Sequence, residues 1–434
     1  MADLSFVRKD IIPERAAPLS ETGVIGWFRK NMFSDIPNTI LTIIVAYFII
    51  SVLGNILPWV FSPTWNSGSL TECRGILAEL GRSGHGGGGA CWGVIRERWL
   101  QLLFGFYPSE LYWRPILAFI LLGLALAPVL FDKASRKLLY LTAIYPFLCF
   151  WLIWGGSIWF PLTVFSGFIV SYLGYVYVNK IFGSLAGVIA SIALPIIWWL
   201  FITSPLSTLL QSIIPLGSES IDSDRLGGFM LAVLIGVTGI ALSLPIGILL
   251  ALGRQSNLPI LKAVCVCFIE FIRGVPLITL LFVASTLLNI FLPPGSNFDL
   301  ILRVMIMVTL FAAAYMAEVV RGGLAALPKG QYEAADSLGL DYWKAQRLII
   351  MPQALKISIP GIVSTFIGLF KDTTLVSIIG LLDPLGLSTN IRADMAWNGI
   401  LWELYGFVGL IFFIFCFSMS RYSMYLERKL ATGH

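Results

Sequence analysis

A lone arginine stands inside the apolar run LPILKAVCVCFIEFIRGVPLITLLFVASTLLNIF, followed at once by Gly274, Val275 and Pro276. Counted at 1.5 Å per residue from Asn257, Arg273 stands roughly 24 Å along a helix, deep in a bilayer. An arginine there is costly and is usually retained to bind something. Gly274 and Pro276 break the helix at the same level, and broken helices near the membrane centre commonly build substrate sites. The guanidinium offers a planar, bidentate partner for a carboxylate. Glu270, three residues back, offers the other reading, a pair that neutralises itself. Asp372 is the complementary group, an acceptor for an ammonium, with Thr365 and Thr373 as hydroxyl partners. Alternatively, Lys371 and Asp372 are an interfacial charge pair that ends a helix. Glu318 and Arg321 read as a structural pair near the cytoplasmic mouth.

A second polar stretch, from Arg321 to Asp372, interrupts the apolar segments on either side. Pro328 suits the first turn of a helix and Gly339 a left-handed stop. Asp341 has the N-cap type for a second short helix ending near Leu348. Tyr332, Ala335 and Leu338 recur at helical spacing and give a narrow apolar face. Two short helices with a small-residue turn, exposed at a membrane face, form a protrusion suited to a groove on another protein.

The elements that must carry these groups are membrane spans. Of 434 residues, 57% are hydrophobic and 12% charged, which defines an all-α polytopic membrane protein. The net charge of +5 sits at segment ends and does not point to nucleic acid. There is no phosphate-loop motif, so any ATP is bound elsewhere. The two histidines, His85 and His434, lie far apart, and no metal-ligand spacing is present. No cleavable leader is read before the first apolar run near Pro37.

Ten spans are expected: 38–60, 113–131, 138–157, 161–178, 183–202, 226–252, 257–293 (interrupted), 299–320, 352–382 (bent at Pro360-Gly361) and 402–423. Basic residues mark every second loop, from Arg29-Lys30 through Lys133, Arg136 and Lys137 to Arg428 and Lys429. Both termini are therefore expected in the cytoplasm, and so is the Glu333 loop. The outer loop 63–112 holds a flexible glycine run, Gly86 to Gly89, and Cys73 and Cys91. These cysteines lie on the oxidising side, where they either form a disulfide or stay unpaired. In the sixth span Gly239, Ser243 and Gly247 give a nearly bare face that lets another helix approach closely.

The polar loop carries a specific resemblance. Glu333-Ala334-Ala335, then Gly339, then Ile350-Met351-Pro352, resembles the "EAA…G…I-x-P" cytoplasmic loop of ABC-importer permeases. YMAEVVRGG, GQYEAADSLGL and FIGLFKDTTLVSIIG resemble polar amino-acid permeases, especially the large subunit of general L-amino-acid importers. Met351 and Thr374 depart mildly from the family pattern. Val275 stands where the family's Arg-Gly-Thr-Pro motif has threonine.

The resemblance implies a type I importer fold with a five-helix core at 226–425, coupling loop 321–352 included. An accessory membrane region at 37–225 precedes it, between cytoplasmic tails at 1–36 and 426–434. It implies a non-catalytic translocation subunit in a bacterial inner membrane, holding no cofactor. Its implied partners are an ABC ATPase dimer docked at Glu333, Ala334, Ala335, Gly339 and Pro352, a paralogous permease subunit and a periplasmic amino-acid-binding protein. Arg273, Gly274, Thr365, Asp372 and Thr373 become candidate amino-acid ligands. The competing class is an ion-coupled secondary transporter, which also uses broken helices.

Overall fold

The computed structural model describes residues 23–82, 88–287, 290 and 299–430. His85, Gly86, Gly87, His434 and the last part of the seventh expected span lie outside these residues. The chain divides into two compact units, Met1–Gly93 and Val94–His434.

The first unit contains α1 (Gly23–Asn31), α2 (Ile36–Val60) and α3 (Leu70–Glu79). Asp35 caps α2 by accepting from Asn38 N at 2.8 Å. Ser69 caps α3 through Glu72 N at 3.2 Å, while the Glu72 carboxylate reaches back to Gly68 N at 2.7 Å. This is a capping box displaced by one residue. Beyond α2 the chain folds on itself around a Cys73–Cys91 disulfide with Cα atoms 5.9 Å apart. Leu70, Leu77 and Ala90 are buried beside the disulfide. Trp92 stacks on Trp65 at 5.6 Å and donates its indole N–H to Val60 O at 2.7 Å. The segment after α2 is thus a small stapled fold.

The second unit opens with α4 (Gly93–Phe104), α5 (Trp113–Leu130), α6 (Leu138–Trp154), α7 (Trp159–Phe182) and α8 (Ser184–Ile197). α8 continues through a π-helical turn at Trp198–Ile202 into α9 (Thr203–Ile213). The span expected at 183–202 therefore runs on to Ile213. Two short strands, β1 (Gly156–Ser157) and β2 (Gly217–Ser218), pair antiparallel at one end.

The core follows: α10 (Gly228–Gln255), α11 (Pro259–Gly274), α12 (Leu277–Phe282), α13 (Leu300–Ala325), α14 (Lys329–Ser337), α15 (Tyr342–Ala345), α16 (Met351–Asp372), α17 (Pro384–Ala393) and α18 (Trp402–Leu430). Among the described residues, eight helices are long and apolar enough to span a membrane. The pair Pro259–Gly274 and Leu277–Thr286, bent by 102°, makes a ninth, and the shorter Leu138–Trp154 completes the ten.

Three local outcomes follow from backbone chemistry. The bare stripe of α10 packs inside the bundle: Gly236 faces Phe370 and Thr373, Gly239 faces Val308 and Leu369, and Gly247 faces Met316 and Ala313. α16 is continuous through Pro360, where a bend is expected. No short helix ends near Leu348: α15 passes through a π-helical turn at Gln346–Ile350 directly into α16. Met351 N bonds Gln346 O, one residue further back than in an α-helix, and Pro352, which has no N–H, follows directly without separating the two helices.

Accessory and core helices of the second unit are stitched at one end of the bundle. Phe106 N donates to Arg225 O (3.1 Å), Ile221 N to Trp154 O (2.8 Å), and buried Arg114 to Glu219 O (2.7 Å). Gly105, at φ +72°, lies so close to Gly227 that a Cβ would meet its backbone at 2.6 Å. At the opposite end the Tyr422 hydroxyl donates to Leu130 O, and Lys429 pairs with Asp132.

Two predictions follow. Maleimide should label Cys73 and Cys91 only after reduction, and Cys73→Ser with Cys91→Ser should cost about 3 kcal/mol of local stability. Labelling without a reductant would contradict the bridge. Gly247→Ala should destabilise by about 1–3 kcal/mol, read by thermal unfolding in detergent, because its Cβ would meet Met316 Cβ at 2.7 Å.

Candidate functional site

Arg273 ends α11 at the break, and its neighbours come from another helix. Its guanidinium lies 3.7 Å from the Glu318 carboxylate and over the Tyr315 ring, 5.6 Å from the centroid. Glu318 also accepts from Arg254 at 2.7 Å and pairs with Arg321 at 3.0 Å. Arg254, in turn, meets Glu270 at 2.8 Å. The sequence-level pair of Glu270 with Arg273 is thus replaced: Glu270 serves Arg254, and Arg273 serves Glu318. One carboxylate on α13 gathers guanidiniums from α10, α11 and α13 itself.

The reason is how α11 runs. Cys265 lies against Gly253 near the C-terminal end of α10, and Glu270, five residues further along α11, still reaches Arg254. Arg273 follows within one turn. Its head group shares a carboxylate with Arg254, the last residue but one of α10.

Asp372, Thr365 and Thr373 lie elsewhere. Val308 and Leu369 both face Gly239 and so share a level. Glu318 lies ten residues beyond Val308 toward one end of the bundle, and Asp372 three residues beyond Leu369 toward the other. At 1.5 Å per residue that separates them by about 20 Å along the bundle. The charged ends of one amino acid are a few bonds apart, so Arg273 and Asp372 do not form one pocket. This corrects the two-point site expected from sequence. Thr373 is fully buried and donates to Phe370 O at 2.8 Å; Thr365 donates to Gly361 O at 2.9 Å. Both hydroxyls are spent within their own helical turns. Asp372 is half-buried and makes no hydrogen bond or ion pair among the described residues. Gly274 does lie at the Arg273 site, and a Cβ there would meet nothing within 4 Å.

The hairpin around Gly339 forms as its residue types require. Gly339, at φ +67°, ends α14, with Gly339 N bonded to Asp336 O (2.9 Å) and Leu340 N to Ala335 O (3.3 Å). This is a Schellman stop. Asp341 caps α15 through Lys344 N at 2.9 Å. That N–H, and then the Lys344 ammonium, hold the Asp341 carboxyl below its ordinary range. Pro328 sits one position earlier than the first helical turn, at the N-cap of α14. Of the expected apolar face, Ala335 is buried and Tyr332 packs against the core, whereas Leu338 is 71% exposed. Gln353 donates to Gln331 at 2.9 Å and ties α14 to α16. Glu333, Ala334, Gly339 and Pro352 are exposed, beside the exposed apolar Tyr342, Trp343 and Leu348.

A helical bundle with a broken span, a charge cluster beside the break and an exposed hairpin continuous with a membrane helix is the transmembrane subunit of a transporter. Residues 243–432 match the family described as "Binding-protein-dependent transport system inner membrane component". The chain is 59% identical over its whole length to the glutamate/glutamine/aspartate/asparagine transport system permease protein BztC of Rhodobacter capsulatus, covering 100% of both. It is 39% identical to the inner membrane amino-acid ABC transporter permease protein YhdY of Escherichia coli, covering 97% of each. The probable glutamine ABC transporter permease protein GlnP of Bacillus subtilis is 31% identical over 46% of this chain and 90% of its own length. The chain belongs to the amino-acid permeases of type I ABC importers, which sets aside the ion-coupled alternative. The two full-length relatives are covered along essentially the whole of this chain, accessory helices included.

Glu318 was passed over as a hub because its sequence signal is only local, an acid at i and an arginine at i+3. An acid inside the apolar run ILRVMIMVTLFAAAYMAEVV was the available clue. The cluster predicts unequal costs. Glu270→Ala, half-exposed and with one partner, should change stability by less than about 1 kcal/mol. Glu318→Ala, which leaves Arg273 and Arg321 without a carboxylate and Arg254 with Glu270 alone, should cost more, roughly 1–3 kcal/mol. Equal shifts in the unfolding temperatures of the two variants would contradict the hub.

Proposed function

We propose that this chain forms one side of the translocation path of an inner-membrane importer for acidic amino acids and their amides. ATP is hydrolysed by a separate dimeric ATPase seated on the α14–α15 hairpin. A periplasmic binding protein delivers the substrate, and a paralogous permease supplies the other half of the path. Both termini and the hairpin face the cytoplasm, and the stapled Cys73–Cys91 segment faces the periplasm.

The observation that carries the reading is mechanical. The hairpin turns sharply at Gly339, is tied to α16 through Gln331 and Gln353, and leads into α16 without a break. A push on the exposed Glu333 surface would therefore reach the bundle as a rigid displacement of a membrane helix. The substrate class rests on charge. Arg254, Arg273 and Arg321 face only Glu270 and Glu318, so the cluster keeps one positive charge beside the open backbone at Gly274. The substrates named for BztC all carry an α-carboxylate, and two of the four carry a second.

Glu333→Lys should abolish glutamate uptake in cells while leaving the amount of chain in the membrane unchanged. Uptake at the parental rate would sink the docking assignment. For topology, Ser220→Cys should react with an impermeant thiol reagent in intact cells and Ser337→Cys only after the membrane is opened; the reverse pattern would invert the orientation.

A further inference from the structure

The contacts to Glu318 are unequal. Arg254 and Arg321 hold its carboxylate at 2.7 Å and 3.0 Å, within hydrogen-bonding distance, whereas Arg273 stands off at 3.7 Å. Arg273 is instead oriented by the Tyr315 ring, and its side chain is 34% exposed against 17% for Glu318. It sits on the last turn of α11, where the helix stops and Gly274 leaves open space. Of the three arginines, this one can turn at least cost.

We propose that Glu318 is a built-in stand-in for the substrate carboxylate. At rest it occupies Arg273 weakly and tethers the end of α11 to α13. An arriving carboxylate takes the Arg273 fork in bidentate form and displaces that contact. Glu318 keeps Arg254 and Arg321, so no buried charge is stranded by the exchange, which is what would make it costly. The incoming carboxylate also neutralises the spare positive charge of the cluster. Occupancy is thereby coupled to release of the α11–α13 tether, and the broken span becomes free to shift. Glu318 is a positioning residue in this scheme, touching no substrate itself. The proposal rests on the reading of Arg273 as the carboxylate partner.

The test is equilibrium binding of radiolabelled glutamate to the detergent-purified complex of permease subunits and ATPase, without binding protein. Removing an internal competitor raises the binding-competent fraction, so Glu318→Gln should bind glutamate ~3–10-fold more tightly than the parent. Glu318→Asp, which keeps the charge for Arg254 and Arg321 but draws it back from Arg273, should tighten binding by a smaller factor. It serves alone if Glu318→Gln fails to assemble. A purely structural Glu318 would give equal or weaker binding in both variants, and that result overturns the proposal. Arg273→Gln separates the two levels of the argument. If it abolishes binding while the Glu318 variants show no tightening, the substrate reading stands and the stand-in role falls. If it binds glutamate like the parent, both fall.

Discussion

One carboxylate, that of Glu318, holds the C-terminal ends of three core helices together. It lies in the apolar run of α13, where an unpaired charge would be intolerable, and it is satisfied by arginines from α10, α11 and its own helix. The small residues Gly253 and Gly247 let the neighbouring helices approach closely enough for these groups to meet. Charge pairing and close packing are therefore one constraint.

The break at Gly274–Pro276 and the hairpin at Gly339 lie at the two ends of the same mechanical path. The break leaves α12 turned 102° from α11, which gives the core an element joined to its neighbours by few covalent constraints. The hairpin is the opposite, a rigid extension of α16. α16 packs beside α13, which carries Glu318, so a displacement entering at the hairpin would pass next to the cluster that holds α11.

Much of this was legible in the residues. Gly339 announced a left-handed stop and Asp341 a cap, because both depend on neighbours within four positions. The ten spans were legible from apolar length, and the stripe of α10 from its spacing. What failed was non-local. The partner of Arg273 lies on another helix, 45 residues away in sequence, and spacing within one helix points only to Glu270. The pocket shared by Arg273 and Asp372 failed for the same reason: chemical complementarity says nothing of level along a bundle. The end of the hairpin's second helix was misplaced because Pro352 reads as a boundary, yet a π-helical turn at Gln346–Ile350 carries the helix on through it.

The central claim is that amino-acid movement through this core is powered from the cytoplasmic hairpin by a partner's ATP hydrolysis. The most direct measurement is glutamate uptake into vesicles reconstituted with the permease subunits, the ATPase and the loaded binding protein. The account predicts uptake that requires ATP on the hairpin side and persists when ion gradients are collapsed. Uptake that follows an imposed ion gradient without ATP would contradict it.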